Sequence, residues 1–397
     1  MRVILYLLPF AIALSPEFPN PFVPKLRLSD ILIASLILIL LGNFAYQRRL
    51  PRLPKELLLP ILLVLFLNFL SFFYGIAIGT LSGESLRRGI YYLGKRTEYL
   101  LLFFLAFNSV EVEDDLRLLV YSSLLASLLT SLYAIIQFRL TGGRATGTIE
   151  GQPNILGAYL LLHIALAISL LSSPEGKRAR LLFLSVFFLG TFAILYTFSR
   201  GTFVSLALLL FFSLLLKPSR KFAFALSLIF LLFLFTPTVS EKVKERIATI
   251  PQEIALTLEG RITSGGQSAF ADRYGGVISG EDLRIFKEHP WWGYGMGYLP
   301  LSYFDIWIFH ELTYNGILGT LAFLGLLFFI VKNLFLCYKN EGIDDFPKWV
   351  ALGLLLSILS LLIHSLSCAT FYVIRPMEAL WLLTGATLGR ALYEYQE

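Results

Sequence analysis

Long apolar runs dominate this sequence and leave few folds open to it. Of its 397 residues, 56% are apolar and only 15% are charged. The hydrocarbon core of a bilayer is about 30 Å thick, and a helix crosses it with roughly 20 apolar residues. The apolar runs are continuous, whereas the strands of a membrane barrel alternate apolar and polar residues. The sequence therefore predicts an all-α polytopic membrane protein.

We expect about twelve membrane-spanning helices. Residues 1–236 would hold nine of them, residues 237–307 one long loop with short helices, and residues 308–397 the last three. The first segment resembles the apolar part of a signal peptide, but no small-residue cleavage site follows it, so we expect a retained helix. The predicted spans are 3–15, 28–46, 57–79, 89–108, 116–138, 154–172, 180–197, 202–216, 222–236, 308–331, 348–366 and 374–393.

Lysine and arginine concentrate in the loops on one side of this arrangement. Cytoplasmic loops of membrane proteins are enriched in these residues. We therefore predict that both termini are cytoplasmic and that the long loop is extracytoplasmic. The net charge of +6 reflects this orientation and gives no reason to expect a nucleic-acid partner. The basic loops are 47–56, 173–179, 217–221 and 332–347.

A second group of arginines lies just outside the opposite face. A cation at the lipid boundary is costly unless it is bound. Arginine stays charged and can pair with phosphate oxygens through two hydrogen bonds. A cluster on one side therefore favours an anionic substrate, and a diphosphate fits best. These arginines are Arg144, Arg200, Arg261, Arg273 and Arg284.

Each of these arginines also has an ordinary interpretation. Arg200 joins two apolar spans with almost no loop, and it could be a snorkelling residue that anchors a helix end. Arg144 could belong to an ordinary glycine-rich turn, and Arg261, Arg273 and Arg284 could be solvated surface charges. The shared face of Arg144 and Arg200 favours the cation cluster.

The end of the long loop carries aromatic and titratable residues. Trp291 and Trp292 begin a stretch with three alternating glycines. Their rings suit sugar stacking or anchoring at the membrane interface equally well. Asp305 and His310 lie where the chain re-enters the membrane, and either could act as a base near the arginines. Asp305 could instead cap the helix that follows.

Three charged residues fall inside the predicted span 89–108. They are Lys95, Arg96 and Glu98. An ion pair between Glu98 and one of the two cations is one explanation, and a polar cavity lining is the other. The sequence shows neither a P-loop nor a Cys/His cluster with metal-ligand spacing, so we expect no metal and no cofactor.

Four short stretches resemble the superfamily of O-antigen ligases and O-antigen polymerases, which are polytopic membrane glycosyltransferases. Their order and their shared side of the membrane are more specific than any one of them. The resemblance implies a GT-C-like arrangement in the bacterial inner membrane, with the active site facing the periplasm. The stretches are Arg144 to Thr148 with Pro153-Asn154, Ser199-Arg200-Gly201, Asp282 to Tyr298, and Gly316-Ile317-Leu318-Gly319.

The resemblance also implies a reaction. The donor would be a glycan on undecaprenyl diphosphate, and the acceptor a hydroxyl of lipid A-core or of another lipid-linked glycan. Arg200 and Arg273, together with Arg144, would neutralise the charge of the leaving diphosphate. Asp305 or His310 would take the acceptor proton, with inversion at the anomeric carbon. The other substrate-binding candidates are Arg261, Arg284, Trp291 and Trp292.

One difference from the family pattern bears on whether the chain resembles the ligases or the polymerases of the superfamily. Ligases carry His, then Asn, Ser or Gln, then nine residues before Gly-x-x-Gly, whereas Asp305-Ile306 stands at that place here. Either Asp305 takes the place of this histidine as the base, or His310 reaches the site from another face of the helix, or the chain is not a true ligase. Polymerases do not keep this histidine strictly, so the departure weakens the ligase prediction relative to a polymerase. An O-antigen ligase is still our first prediction, and a polymerase of the same superfamily is the alternative.

Two functions of other classes are alternatives to a glycosyltransferase: a transporter of lipid-linked glycans and a structural membrane protein. A structural membrane protein would not need Arg144 and Arg200.

Overall fold

A computed structural model describes residues 2–18, 26–47, 55–148, 152–215, 286–301 and 306–394. These residues form a helical bundle, with one antiparallel ribbon of two very short strands, β1 (Glu17–Phe18) and β2 (Leu26–Arg27). A short 3-10 turn, Thr370–Tyr372, precedes the last helix. The helices are α1 (Arg2–Leu14), α2 (Leu28–Gln47), α3 (Lys55–Ala77), α4 (Gly83–Ser109), α5 (Glu113–Thr141), α6 (Pro153–Leu170), α7 (Lys177–Thr197), α8 (Arg200–Leu215), α9 (Trp307–Lys339), α10 (Asp345–His364) and α11 (Ile374–Glu394).

The prediction of an all-α membrane protein is confirmed. Each helix overlaps a predicted span, and seven are long and apolar enough to cross a membrane. Among the other four, α1 and α8 are shorter, and α4 and α11 carry several charged side chains. The total of twelve spans stays a prediction. The predicted span 222–236 and most of the predicted loop 237–307 lie outside the described residues.

Helix α6 forms the centre of the bundle and is buried at almost every position. It packs against α7, α8 and α10 through small residues. A Cβ atom at Gly157 would lie 2.3 Å from Thr202 Oγ1 of α8, and one at Gly353 of α10 would lie 2.9 Å from the backbone of Leu166. Apolar side chains all round a helix are expected when protein surrounds it on every side.

Glycines also bring α4 and α11 into close contact. Gly385 and Gly389 are four residues apart and share one face of α11. A Cβ atom at either would lie 2.3 Å from the backbone oxygen of Phe103 or Phe107 on α4. This small-xxx-small spacing lets membrane helices approach closely. The helix that carries Lys95 and Arg96 is therefore fixed against α11.

Several helix ends meet at one end of the bundle, which we call the motif end. Buried Arg375, at the start of α11, donates from Nη1 and Nη2 to the carbonyl oxygens of Ala13 and Ser15 after α1, both at 2.8 Å. Thr148, before α6, donates to the same Ala13 oxygen at 2.6 Å. Ala145 N donates to Tyr196 O of α7 at 2.8 Å. These bonds tie together the end of α1, the start of α11, the α5–α6 connection and the end of α7.

The close contact between α4 and α11 predicts the effect of a small substitution. Gly389→Ala should lower the free energy of unfolding by about 1–3 kcal/mol, because the added methyl group meets backbone that cannot turn aside. Thermal unfolding of the purified protein in detergent measures the change.

Gly325→Ala in α9 is the matched control. An added Cβ there meets no atom within 4 Å, and alanine is a better helix former than glycine by roughly 0.5–1 kcal/mol. The control should be neutral or stabilising. Equal melting temperatures for the two variants would contradict the close packing of α4 and α11.

Candidate functional site at the motif end

The connection between α7 and α8 is a tight turn that sets Arg200 at the first position of α8. Phe198 ends α7 with a φ of 49°, a left-handed conformation that is uncommon for a residue other than glycine. Ser199 then accepts hydrogen bonds on Oγ from Thr202 Oγ1 at 2.8 Å and on its carbonyl from Phe203 N at 3.0 Å. The sequence Ser199-Arg200-Gly201 therefore begins α8 with almost no loop.

A buried histidine supports this turn from the neighbouring helix. His364 of α10 lies 3.1 Å from Thr202 Oγ1 through Nε2 and 2.8 Å from Thr370 Oγ1 through Nδ1. A Cβ atom at Gly201 would lie 1.7 Å from Ser367 Oγ, so only glycine fits beside the end of α10. The small residue after Arg200 is therefore required by packing, and His364 has a structural role.

Arg144 lies beside the same turn. Its Nε donates to the carbonyl oxygen of Thr197 at 2.8 Å, three residues before Arg200. Arg144 is exposed and Arg200 is half-buried, so both side chains reach the surface of the bundle. Two arginines that are distant in sequence are thus attached to one turn at the motif end.

Residues 290–298, which we call the glycine segment, insert into a break in α9. Gly316 has φ 63° and ψ −168°, which interrupts the helix. In an unbroken helix, Ile317 N and Leu318 N would donate to the carbonyls of Thr313 and Tyr314.

The glycine segment replaces both of these hydrogen bonds. Ile317 N donates to Pro290 O at 2.8 Å, and Leu318 N donates to Trp291 O at 3.4 Å. The two freed carbonyls accept from the segment in return, Thr313 O from Tyr294 N at 2.8 Å and Tyr314 O from Gly295 N at 3.1 Å. All four backbone groups at the break are therefore satisfied, as the interior of a membrane protein requires.

The alternating glycines have a steric reason as well. Gly293, Gly295 and Gly297 all have positive φ, between 69° and 93°. A Cβ atom at Gly293 would lie 2.6 Å from the carbonyl of Thr313, and one at Gly297 would lie 2.2 Å from the backbone of Gly89 on α4. The glycine segment therefore fits between α3, α4 and α9 only without side chains at these positions.

The aromatic residues of the glycine segment divide into two groups. Trp291 is 58% exposed, and Trp292 is half-buried. Tyr294 stacks on Tyr298 with ring centroids 4.4 Å apart and donates to Glu288 at 2.6 Å. Burial and this hydrogen bond raise the pKa of Tyr294 well above its usual value. Trp291 offers an exposed ring for a sugar or for the membrane interface, whereas the tyrosines pack internally.

His310 is buried in the first turn of α9. Its Nε2 lies 3.2 Å from the carbonyl of Leu301, and its ring packs against Tyr314 and Tyr372 with centroids 5.5 Å and 6.2 Å away. The N-cap position of α9 is Ile306, so Asp305 is not the N-cap residue that the sequence suggested. Asp305, Arg261, Arg273 and Arg284 lie outside the described residues.

Glu311, the neighbour of His310, lies at the centre of a buried polar network. Arg96 of α4 donates from Nη1 and Nη2 to the two carboxylate oxygens, both at 3.0 Å. Tyr372 OH donates to Glu311 Oε2 at 2.7 Å, and Asn315 Nδ2 donates to Oε1 at 2.9 Å. The Arg96 guanidinium lies 4.1 Å from the ring centroid of Phe323. Arg96 therefore pairs across the bundle with Glu311, not with Glu98.

Lys95 pairs with Glu98, as the sequence suggested, and also with two other carboxylates. Its Nζ lies 2.9 Å from Glu98, 2.6 Å from Asp30 of α2 and 3.4 Å from Glu378 of α11. Oxygens of these three carboxylates lie within 4.8 Å of one another, close enough to hold a metal ion. The Lys95 ammonium lies among them and supplies the positive charge that a metal would supply. Glu98 and Asp30 also line a cavity, so both sequence interpretations of this region hold.

The family model of the O-antigen ligases matches residues 185–316 of this chain. The match confirms the resemblance to the O-antigen ligase and polymerase superfamily. It begins within α7, includes the α7–α8 turn and the glycine segment, and ends at the break in α9. Arg144, Arg96 and Tyr372 lie outside it. No curated protein matches the chain.

The sequence analysis did not predict that Arg96 pairs with Glu311. Two features of the sequence pointed to this pair: Arg96 is a cation inside one apolar span, and Glu311 is an acid where the chain re-enters the membrane. Many such pairings are possible across twelve predicted spans, and only the fold selects one of them. Gly385 and Gly389 were also missed, although their spacing is visible in the sequence.

The buried ion pair of Arg96 and Glu311 predicts how substitution of one or both residues changes the stability of the protein. Arg96→Met should lower the free energy of unfolding by roughly 3–5 kcal/mol, because Glu311 would remain buried without a cation. Adding Glu311→Gln removes that charge and should recover a substantial part of the loss. Melting temperatures in detergent compare the two variants. A double variant no more stable than Arg96→Met would show that charge neutralisation is not what the pair contributes.

Proposed function

We propose that this chain moves a glycan from undecaprenyl diphosphate to an acceptor hydroxyl at the motif end, as an O-antigen ligase that attaches polysaccharide to lipid A-core. Its superfamily consists of membrane glycosyltransferases that act on lipid-linked glycans. The observation that carries the proposal is the attachment of Arg144 and Arg200 to one turn. The family match to the segment that contains Arg200 supports it.

In this mechanism the diphosphate is both the anchor and the leaving group. The acceptor oxygen attacks the anomeric carbon, the glycosyl–phosphate bond breaks on the opposite face, and undecaprenyl diphosphate leaves with the bonding electrons. Arg144, Arg200 and Arg273 stabilise the negative charge that develops on it. No metal and no nucleotide sugar takes part.

The proton of the acceptor hydroxyl goes to a base, for which Asp305 and His310 are the candidates. His310 is fully buried, and its Nε2 is within hydrogen-bond distance of a backbone carbonyl. This geometry favours a structural role for His310 and leaves Asp305 as the stronger candidate. Exposed Trp291 would stack on a sugar ring of one substrate.

Polymerisation of lipid-linked glycans is the second candidate function. The observation in its favour is Asp305-Ile306 at the place where ligases carry His followed by Asn, Ser or Gln. The two functions differ only in the acceptor, so one assay separates them. The purified protein receives undecaprenyl-diphosphate-linked oligosaccharide with or without lipid A-core. Product only with lipid A-core indicates a ligase, and a ladder of lengthening lipid-linked glycan without it indicates a polymerase.

The role of Arg200 predicts a large loss of rate on its removal. Arg200→Ala should lower the transfer rate by roughly 10²–10³-fold, because a positioned cation would be missing from the developing charge. Expression and membrane insertion should remain normal.

Arg139→Ala is the matched control for this variant. Arg139 is exposed in the last turn of α5, at the same end of the bundle. We expect its removal to leave the rate within about twofold, as for a solvated surface charge. Full transfer activity in Arg200→Ala would overturn the proposed diphosphate site, and equal losses in both variants would show only a general effect of net charge.

The mechanism also predicts insensitivity to chelators. The transfer rate in excess EDTA should equal the rate in added Mg²⁺, because arginine takes the place of a metal at the diphosphate. Loss of activity in EDTA with recovery on addition of Mg²⁺ would contradict this part of the proposal.

A further inference from the structure

Asn154 in the first turn of α6 lies beside the turn that holds Arg200. Helices α6 and α8 both begin at the motif end, and a Cβ atom at Gly157 would lie 2.3 Å from Thr202 Oγ1. Residues three apart share one face of a helix. Asn154 therefore continues the face of Gly157 toward the motif end, just as Arg200 precedes Thr202. The side chain of Asn154 is thus level with the α7–α8 turn, to which Arg144 is also attached.

The side chain of Asn154 has an unused hydrogen-bond acceptor. The residue is half-buried, and its Oδ1 atom is buried without a hydrogen-bond partner among the described residues. Buried polar atoms almost always have a partner, and leaving one unpaired costs free energy. A hydrogen-bond donor that reaches Asn154 from the surface of the bundle would remove this cost.

The polar groups of the neighbouring loop are used by the fold. Gln137 of α5 accepts on Oε1 from Thr146 N and Gly147 N, both at 2.9 Å. Its Nε2 donates to Thr146 Oγ1 at 3.0 Å. These bonds fix the loop between α5 and α6, which carries Arg144. The Oδ1 atom of Asn154 makes no comparable bond within the part of the chain that the structure describes, so it is available to a ligand.

The chemistry of Oδ1 selects the part of the substrate that it binds. A carbonyl oxygen only accepts hydrogen bonds. The diphosphate of a lipid-linked donor carries no proton at neutral pH and therefore offers only acceptors. Sugar hydroxyl groups, by contrast, can donate. The first sugar is bonded directly to the diphosphate, so it lies within reach of a side chain beside Arg144 and Arg200.

We propose that Asn154 binds a hydroxyl group of the first sugar of the lipid-linked donor. Rotation about χ2, which is a broad torsion in asparagine, brings Oδ1 from its buried position to the sugar. This inference rests on the proposed function, because it requires the diphosphate at Arg144 and Arg200. Asn154 then makes binding of the donor depend on the sugar, whereas the arginines recognise the diphosphate that all such donors share.

Two lipid probes test the proposal on the purified full-length protein. Native mass spectrometry measures binding of undecaprenyl diphosphate and of undecaprenyl-diphosphate-linked oligosaccharide. Asn154→Leu removes the amide and keeps a side chain of similar size. It should weaken binding of the glycan-bearing lipid at least about tenfold and leave binding of undecaprenyl diphosphate within about twofold. Equal weakening for both lipids would place Asn154 at the diphosphate, and unchanged binding of both would show that the amide meets only water. Either result would overturn the proposal.

Arg200→Ala separates this inference from the proposed function. It should weaken binding of both probes, because both carry the diphosphate. If Arg200→Ala weakens neither, the proposed diphosphate site is wrong, and the inference fails with it. If Arg200→Ala weakens both and Asn154→Leu weakens neither, only the sugar contact is wrong.

Asn333→Leu is the matched control. Asn333 is half-buried near the C-terminal end of α9, where its Nδ2 donates to Phe329 O at 2.8 Å. This substitution should leave binding of both lipids within about twofold, since it removes an amide distant from the α7–α8 turn. The same selective loss in Asn333→Leu as in Asn154→Leu would overturn the assignment to Asn154.

The stability of Asn154→Leu distinguishes a binding role from a structural one. Replacing an unpaired buried acceptor with an apolar group removes a cost from the folded state. The melting temperature of Asn154→Leu in detergent should therefore equal or exceed that of the wild-type protein, although the variant binds the glycan-bearing lipid more weakly. A clearly lower melting temperature would show that Asn154 supports the fold and would overturn the proposal.

Discussion

The exchange of backbone hydrogen bonds at Gly316 organises the motif end. Two carbonyls and two N–H groups of α9 leave the helical pattern, and the glycine segment satisfies all four. Unsatisfied backbone at this depth would cost several kcal/mol for each group. The break and the segment therefore require each other. This requirement explains why Pro290 to Gly297 and Gly316 to Gly319, which the sequence presents as two separate motifs, form one structural unit.

Helix α4 connects this unit to the rest of the bundle. Gly89 in its second turn lies against the glycine segment, and Arg96 two turns later pairs with Glu311 in the first half of α9. Its C-terminal half packs on Gly385 and Gly389 of α11. The short part of α9 before the break is thereby held through both backbone and side chains. A buried ion pair of this kind adds little net stability compared with an apolar contact, so specificity of position is the better explanation for its presence.

The sequence predicted the helices and the shared end of the four motifs because both depend on local patterns. Apolar runs determine the spans. Because successive loops lie on opposite sides of the membrane, the order of the spans determines which loops share a side. The sequence therefore predicted that Arg144 lies on the same side as Arg200, but it could not predict the hydrogen bond from Arg144 to Thr197. The pairing of Arg96 with Glu311 was not predictable, because Glu98 was a nearer partner for the same charge. Only the packing of α4 against α9 decides between them.

In the proposed mechanism, the turn that holds Arg144 and Arg200 binds the diphosphate of the donor. The most direct measurement is a cryo-electron microscopy structure of the full-length protein with undecaprenyl-diphosphate-linked oligosaccharide. We expect density for the diphosphate within hydrogen-bond distance of both guanidinium groups if this mechanism is right. Diphosphate density at the opposite end of the bundle, or contact with neither arginine, would contradict it.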